Sequence, residues 1–369
     1  MSQQKYTFDL TYTPPDFTQP HLATAPDAAC EPASADGLAP TTFYSSTNFP
    51  TYIKREGDWL LAKKPRMDAL IVWDEKTREF VCTEMRKVRA GQPVVTGTSE
   101  DGSTGLLAYH IGFVSTIGTA GEAFTFMASG ASRERPINYR RVAELLEWDK
   151  QRNGRSIWVL GPAVVHAGAR DHMAWLIEHG YVGAVFGGNA VAVHDLERAL
   201  YGTALGMDLE GHTVIGGHRH HMDAINTVRR AGSIAGAVQA GIIPGGIMHA
   251  LVTYGVPFLL AGSIRDDGPL PGVITDVLEA QDKMRFFTQG ATLVVMLATM
   301  LHSIATGNMM PTYIDRDGKI EPVYTIVVDQ EEMVIQKLVD RGTHQAFGIV
   351  RNADDFLSRV VSELKALHT

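Results

Sequence analysis

SIWVLGPAVV, residues 156–165, is the stretch on which the fold turns: an apolar segment of strand length that stops at glycine and proline and gives way to helical spacing. A short, wholly apolar run suits a strand covered on both faces, as in a parallel sheet. Similar runs recur at 182–186, 257–260 and 325–328, with a weaker one at 214–215. Between them lie the helical patterns ARDHMAWLIEHG, HDLERALYGTALG, HMDAINTVRRAG and ATLVVMLATMLHSIATG, the last apolar nearly all round and read as one buried central helix. This alternation predicts an α/β domain with a mainly parallel, Rossmann-like sheet over residues 140–369, closed by the amphipathic pattern ADDFLSRVVSELKALH. Upstream, residues 41–139 carry short apolar segments such as MDALIVWD and QPVVTG divided by glycine and charge, which predicts a small β-rich domain. Residues 1–40, rich in Pro, Ala, Thr and Ser with neither period, predict an extended or partly disordered arm.

In open α/β sheets ligands bind beyond the carboxyl ends of the strands. The most polar such end is AGSIRDDGPLPGVITD, residues 261–276, where Arg265, Asp266 and Asp267 follow the apolar run VPFLL. One guanidinium and two carboxylates suit a small ligand of both charge signs; a solvated turn capping the next helix is the other reading. GPAVVHAGA (161–169) and FGGNAVAVHD (186–195) are glycine-rich in the same way, letting backbone N–H groups approach a ligand. GxGxxG is absent after the first strand, which argues against the ordinary dinucleotide fold and leaves another nucleotide-binding arrangement open. ATGNMMP (305–311) ends a helix in a small polar turn, where Thr306 and Asn308 hydrogen-bond a ligand while Met309 and Met310 pack on a flat ring, or where Gly307 or Asn308 forms a C-cap. HRHHMD (218–223) holds three imidazoles, and His218 and His221 fall on one helical face. With neither an HExxH pair nor a nearby thiolate no metal is expected there; a helix entry with polar side chains is the favoured reading, with one histidine reaching the site as a candidate acid or base. His166 is a further candidate, or a hydrogen-bonded core residue.

Lys and Arg total 33 against 41 for Asp and Glu, a net charge of -8, which gives no electrostatic footprint for nucleic acid and little attraction to an anionic membrane. Small-molecule chemistry is the better expectation. Cys30 and Cys82, the two cysteines, sit in segments of different character, so neither a disulfide framework nor a thiolate site is expected. The start MSQQKYTFDL lacks the basic-then-apolar pattern of a leader, and no run reaches the roughly 18 apolar residues of a membrane span. A soluble cytoplasmic protein is expected.

The ordered series GPAVVHAGA, GYVGAVFGGNAVAVHDLE, AINTVRRAGSI, VPFLLAGSIRDDGPLPGVITDVLEAQDKMR, LATMLHSIATGNMMP and DRGTHQAFGIV resembles the archaeal-type ornithine cyclodeaminase family. That family also supplies the C-terminal region of cyanobacterial arginine-degrading bifunctional enzymes and carries the label of a conserved lysine-oxoglutarate reductase/saccharopine dehydrogenase region. The likeness extends upstream through TTFYSSTNFPTYIKREGDWL, RMDALIV and FTFMASGASRERP, so it covers the chain from about residue 40 onward. It implies an NAD-binding domain of the deoxyhypusine synthase type, tightly held NAD used catalytically, and a homo-oligomer. By the same resemblance Gly188, Asn189, Ala190, Asp267, Thr306, Gly307, Asn308 and Met309 border the cofactor, with Asp329 and Asp340 as ribose contacts.

The implied activity is that of an ammonia-lyase in arginine catabolism and proline biosynthesis. Hydride passes from the α-carbon of ornithine to NAD, the δ-amine attacks the imine, ammonia leaves, and the returned hydride reduces the cyclic imine to proline. Such chemistry requires groups that hold a carboxylate and steer amines. Asp266 or Asp267 is the candidate to orient or deprotonate an amine, Arg265 or Arg135 to hold the carboxylate as a bidentate fork, and Lys283 and His218 are further acid-base candidates. The chain departs from the family in having only the Pro/Ala-rich arm before FYSSTNFPTY, and in the segment GSTGLLAYHIGFVSTIGTAGEAF (102–124). Both departures touch the small domain, which leaves NAD binding better anchored than ornithine specificity. An enzyme of the same fold oxidising, deaminating or transferring an aminoalkyl group from another amine or amino acid, and a non-catalytic NAD-binding module, are the alternatives.

Overall fold

The computed structural model describes residue 8 and residues 10–115, 137–166, 168–208, 210–339 and 346–369. Six strands form one parallel sheet: β1 (Ser156–Leu160), β2 (Ala184–Gly188), β3 (Phe258–Ala261), β4 (Leu293–Leu297), β5 (Tyr324–Asp329) and β6 (Ala346–Val350). Their spatial order is 3-2-1-4-5-6, the doubly wound order in which the crossovers from β1 and β4 leave to opposite faces. Alternation within each strand supplies both faces. Trp158 and Leu160 of β1 and Leu293, Val295 and Leu297 of β4 enter one apolar cluster, while Ile157, Val159, Val294 and Met296 enter the other. Helices Tyr139–Gln151, Arg170–Glu178, Asn189–Tyr201 and Ala353–Leu367 cover the first face; Val277–Thr288, Met300–Met309 and Glu332–Val339 cover the second.

Two sequence-derived elements are corrected. ATLVVMLATMLHSIATG is not one helix but β4 followed by helix Met300–Met309, with Ala298 at φ 52° making the turn. A short apolar run buried on both faces has the same periodicity in either form, and the β-branched Val294 and Val295 belong to the strand. Residues 214–215 form no strand: Thr213 makes a single bridge to Met207, and Ile215 is fully exposed. β6 has no counterpart among the strands expected from sequence.

The β-rich region holds a four-stranded sheet (Cys30–Pro32, Pro93–Val95, Leu70–Asp74, Glu79–Thr83) and a three-stranded one (Asp58–Leu61, Thr51–Arg55, Leu106–Ala108). Tyr44, Ile53, Ile71, Trp73 and Phe80 fill the space between them. The expected arm is, from Leu10 onward, built into this region rather than free. Cys30–Pro32 is an edge strand, and the buried Lys54 ammonium donates to the carbonyls of Leu22, Ala23 and Ala25 at 3.1, 2.8 and 2.8 Å. An ammonium out of water needs such partners, so a composition that reads as loose becomes fixed by one lysine downstream. Contacts tie the two regions together: Thr312 Oγ1 donates to the Asn48 carbonyl at 2.7 Å, and Lys63 pairs with Asp315 at 2.9 Å. A cleft of about 700 Å³ lies between them, lined by residues such as Lys63, Arg66, Asp282 and Tyr313. Among the described residues no helix is long and apolar enough to cross a membrane.

Below the sheet's carboxyl edge the first layer is locked by Asp195, which is wholly buried. Its carboxylate accepts from Arg170 Nε at 2.7 Å and from the Ile247 and Met248 N–H groups at 2.9 and 2.7 Å, capping helix Ile247–Thr253. Removing it takes the carboxylate from a half-buried guanidinium, which keeps the Gly245 carbonyl, and from two buried helix N–H groups. Asp195→Ala is expected to lower the urea-unfolding free energy by roughly 3–5 kcal/mol, the cost of breaking a buried pair; a loss below about 1 kcal/mol would contradict this account.

Candidate functional site

Strand β3 empties into the loop 262–276, and every part of that loop nearest the sheet is pinned. Gly262 N–H donates to the Ile274 carbonyl at 2.8 Å and Ile274 N–H to Leu260 at 2.9 Å, so the loop returns alongside the strand it left. Leu270 is buried, and Arg229 Nη2 donates to the Pro269 carbonyl at 3.0 Å. At the tip, Asp266 Oδ2 accepts from the Ser263 N–H at 2.7 Å. Asn189, the first residue of the helix after β2, joins the two ends: its Oδ1 accepts from Leu270 N–H at 3.0 Å and its Nδ2 donates to Asp266 Oδ1 at 3.4 Å. Asn189 is 5% exposed and Asp266 half-buried, so the bridge ties the loop to the sheet edge, while Arg265 and Asp267 face solvent and Asp276 caps the next helix, Val277–Thr288.

Glycine sets how closely the neighbouring strand ends approach. A methyl group on Gly161 would run into the Ala298 carbonyl, and one on Gly188 would lie 2.9 Å from Cε1 of His302. His302 thereby joins Gly188, Asn189 and Asp266 around the ends of β2 and β4. Its value lay hidden in the sequence because LATMLHSIATG reads as one helix; placing a strand-to-helix turn at Ala298 puts His302 in the first turn at the carboxyl edge.

The other expected site residues divide. Ala190 follows Asn189 in the first turn, Asp329 ends β5, and Arg265 and Asp267 are exposed on either side of Asp266. Thr306, Gly307, Asn308 and Met309 are not at this edge. They form the last turn of helix Met300–Met309, which must return to the opposite edge for β5 to start, about 10 Å further along the helix axis. Thr306 is buried with its hydroxyl donating to the His302 carbonyl at 2.8 Å, and Met309 packs in the second apolar cluster. Lys283 is a surface residue pairing with Glu279 at 2.8 Å. His218 is exposed in the turn Gly217–Arg219, and it is His221 that turns inward. Arg135 and Asp340 lie outside the described residues.

His221 belongs to a group the sequence did not reveal. His194 and Glu197, one turn apart on helix Asn189–Tyr201, meet His221 with donor atoms all within 4.8 Å of one another. The rings of His166 and His194 stand edge to face, their centroids 4.6 Å apart. The signal available in sequence was HDLE, whose i, i+3 spacing puts His194 and Glu197 on one face.

Two family models cover most of the chain: the ArgZ-like arginine dihydrolase C-terminal Rossmann-fold region matches residues 140–360, and its C-terminal first region matches 50–140. This chain belongs to the ArgZ-like C-terminal family. It is 47% identical over 347 residues to an ornithine cyclodeaminase of Methanopyrus kandleri, covering 91% of this chain and 78% of that one. It is 38% identical to the bifunctional arginine dihydrolase/ornithine cyclodeaminase AgrE of a Nostoc species, covering 92% of this chain and 47% of AgrE. Among solved structures, a putative LOR/SDH protein from Methanococcus maripaludis superposes with a TM-score of 0.82 at 39% identity, over 93% of this chain and all of that one. AgrE in a ternary complex with ornithine and NAD+ superposes with a TM-score of 0.58 at 36% identity, over 93% of this chain and 46% of AgrE. The expected Rossmann-like sheet and family are thus both found.

Burial holds the imidazoles of His166, His221 and His302 below the ordinary 6.5, and the neighbouring His194 ring works in the same direction on His166 and His221. Folding therefore favours their neutral forms. The stability they contribute is intact above the unfolded value and is lost as pH falls through the depressed folded values. Urea midpoints of the protein are expected to drop between about pH 7.5 and pH 5.5, and His302→Gln to flatten that slope. An unchanged slope would remove His302 from the account.

Proposed function

We propose that the protein is an NAD-dependent ornithine cyclodeaminase, an ammonia-lyase that converts ornithine to proline with no net redox change. The observation that carries this reading is the Asn189–Asp266 unit, a carboxylate held half-buried at the carboxyl edge of a doubly wound sheet. Relatives bearing the cyclodeaminase name, and AgrE crystallised with ornithine and NAD+, supply the substrate and the cofactor.

The residues present fit NAD. Gly161 and Gly188 leave no Cβ where backbone and His302 already crowd, and the first N–H groups of helix Asn189–Tyr201 have no earlier turn to bond. Gly188, Asn189 and Ala190 would receive the pyrophosphate, and Asp329, at the end of β5, would face a ribose. Bound NAD supplies the hydride acceptor and donor that the side chains lack.

What the chain itself provides is binding and proton handling. Asp266, oriented by Ser263 N–H and Asn189, accepts hydrogen bonds from an ammonium and takes its proton. Arg265 offers the carboxylate of the substrate a planar fork, with Arg135 as a second candidate for the same task. Asp267 stands beside them, exposed, for the other amine or for the cofactor. Desolvation lowers the proton affinity of His302, which would limit positive charge at the strand ends where the cofactor would bind.

Purified protein given ornithine and NAD+ is expected to release proline and ammonia in equal amounts. Asp266→Asn should cut turnover by roughly 10²–10⁴-fold, the usual worth of a positioned acid-base group, with NAD binding retained. Lys283→Ala, which alters a surface pair, should leave turnover unchanged. NAD binding without proline formation, with activity instead on another diamine or amino acid, would replace ornithine with that substrate.

A further inference from the structure

Outside the Asn189–Asp266 unit, His194, Glu197 and His221 form a second polar centre. Glu197 is wholly buried, and among the described residues neither Lys nor Arg pairs with it. Its Oε1 accepts from Thr203 Oγ1 at 2.9 Å and from Gly206 N–H at 2.8 Å, and its Oε2 accepts from Leu205 N–H at 3.1 Å. Those donors fix the carboxylate so that Oε2 also lies 3.7 Å from His194 Nδ1 and 3.8 Å from His221 Nδ1. Both Nδ1 atoms are buried and lack a hydrogen-bond partner among the described residues, and His194 is only 4% exposed. A buried donor or acceptor left without a partner is costly, and here two such imidazole nitrogens lie within 4.8 Å of each other and of one carboxylate oxygen.

We propose that His194, Glu197 and His221 bind one divalent transition-metal ion of the zinc type. Two imidazoles and a carboxylate are a common three-residue set for zinc with a fourth position left to water. Ligand bonds of about 2.0–2.1 Å set tetrahedral ligand separations of about 3.3 Å; the two carboxylate–imidazole separations of 3.7 and 3.8 Å lie close to that, and all three ligand atoms fall within 4.8 Å of one another, so binding draws the side chains together. Thr203, Leu205 and Gly206 hold the carboxylate as outer-shell partners do in metal sites. The His221 side chain is 32% exposed, which leaves one side open to water. Ion binding would tie helix His220–Arg230 and the 203–206 turn to helix Asn189–Tyr201. The absence of HExxH spacing had argued against a metal; the set assembled here takes its third ligand from a different helix and leaves His218 out.

Protein stripped with a chelator and titrated with Co2+ is expected to develop a visible d–d absorption that saturates at one ion per chain and is displaced by Zn2+. Glu197→Gln and His194→Ala should weaken Co2+ binding by more than the roughly 10–100-fold that loss of an outer-shell partner costs. His221→Asn, at a half-exposed position that folding tolerates, should do the same with an unchanged circular dichroism spectrum. His212→Ala, which removes an exposed histidine beside Asp208 and Glu210, should bind as the parent does. A protein that shows no saturable band, or a band that survives His221→Asn, overturns the proposal.

Discussion

A buried polar group must find a partner inside the fold, and helix Asn189–Tyr201 turns that rule into architecture. Four polar side chains on this one helix are buried: Asn189, His194, Asp195 and Glu197. Three of them find partners in different segments of chain, while His194 Nδ1 has no hydrogen-bond partner among the described residues. Asn189 reaches the loop beyond β3, Asp195 the Arg170 guanidinium and the start of helix Ile247–Thr253, and Glu197 the turn at residues 203–206. Three separate segments of chain are thereby referenced to a single rod fixed on the sheet. The hydrophobic layer beneath would permit many loop arrangements, whereas these directional bonds permit one.

The sheet determines where that rod points. A 3-2-1-4-5-6 order brings the carboxyl ends of β2, β1 and β4 side by side, each followed at once by a helix. Close approach then depends on what is missing from side chains: a Cβ at Gly161 would collide with the Ala298 carbonyl, and one at Gly188 with His302. Glycine's role here is clearance rather than backbone freedom, since neither residue sits at positive φ. Half-buried His302 stands in the same crowding, and desolvation lowers its proton affinity.

Much of this was legible in the sequence, and what was not has definite causes. Strand-helix alternation from Ser156 onward and the β-rich upstream region follow from apolar period and glycine placement, which act locally. β4 was missed because Leu293–Leu297 is apolar on both faces and runs directly into an apolar helix; periodicity cannot divide such a run. Reading the run as one helix hid the position of His302, which the strand-to-helix turn brings to the carboxyl edge. Part of the packing of residues 22–25 is supplied by Lys54, more than twenty residues away in sequence, through carbonyls that composition does not register. Likewise HRHHMD showed that histidines were present but not which of them turned inward: His220 meets Thr203 and stacks on Tyr201, His221 faces Glu197, and His218 meets solvent.

The division between buried and exposed polar groups bears on how specificity is distributed. Asn189 and Asp266 are joined to the loop backbone, so altering either disturbs the loop together with any ligand it holds. Arg265 and Asp267, their immediate neighbours, are exposed and carry no comparable structural bonds. Substitution there changes the charge offered to a ligand at little cost to folding, since surface changes away from special features usually stay within about 0.5 kcal/mol. A carboxylate whose position is inherited from the fold, flanked by charges that are free to vary, is an arrangement in which amine chemistry can be retained while the choice among amines shifts.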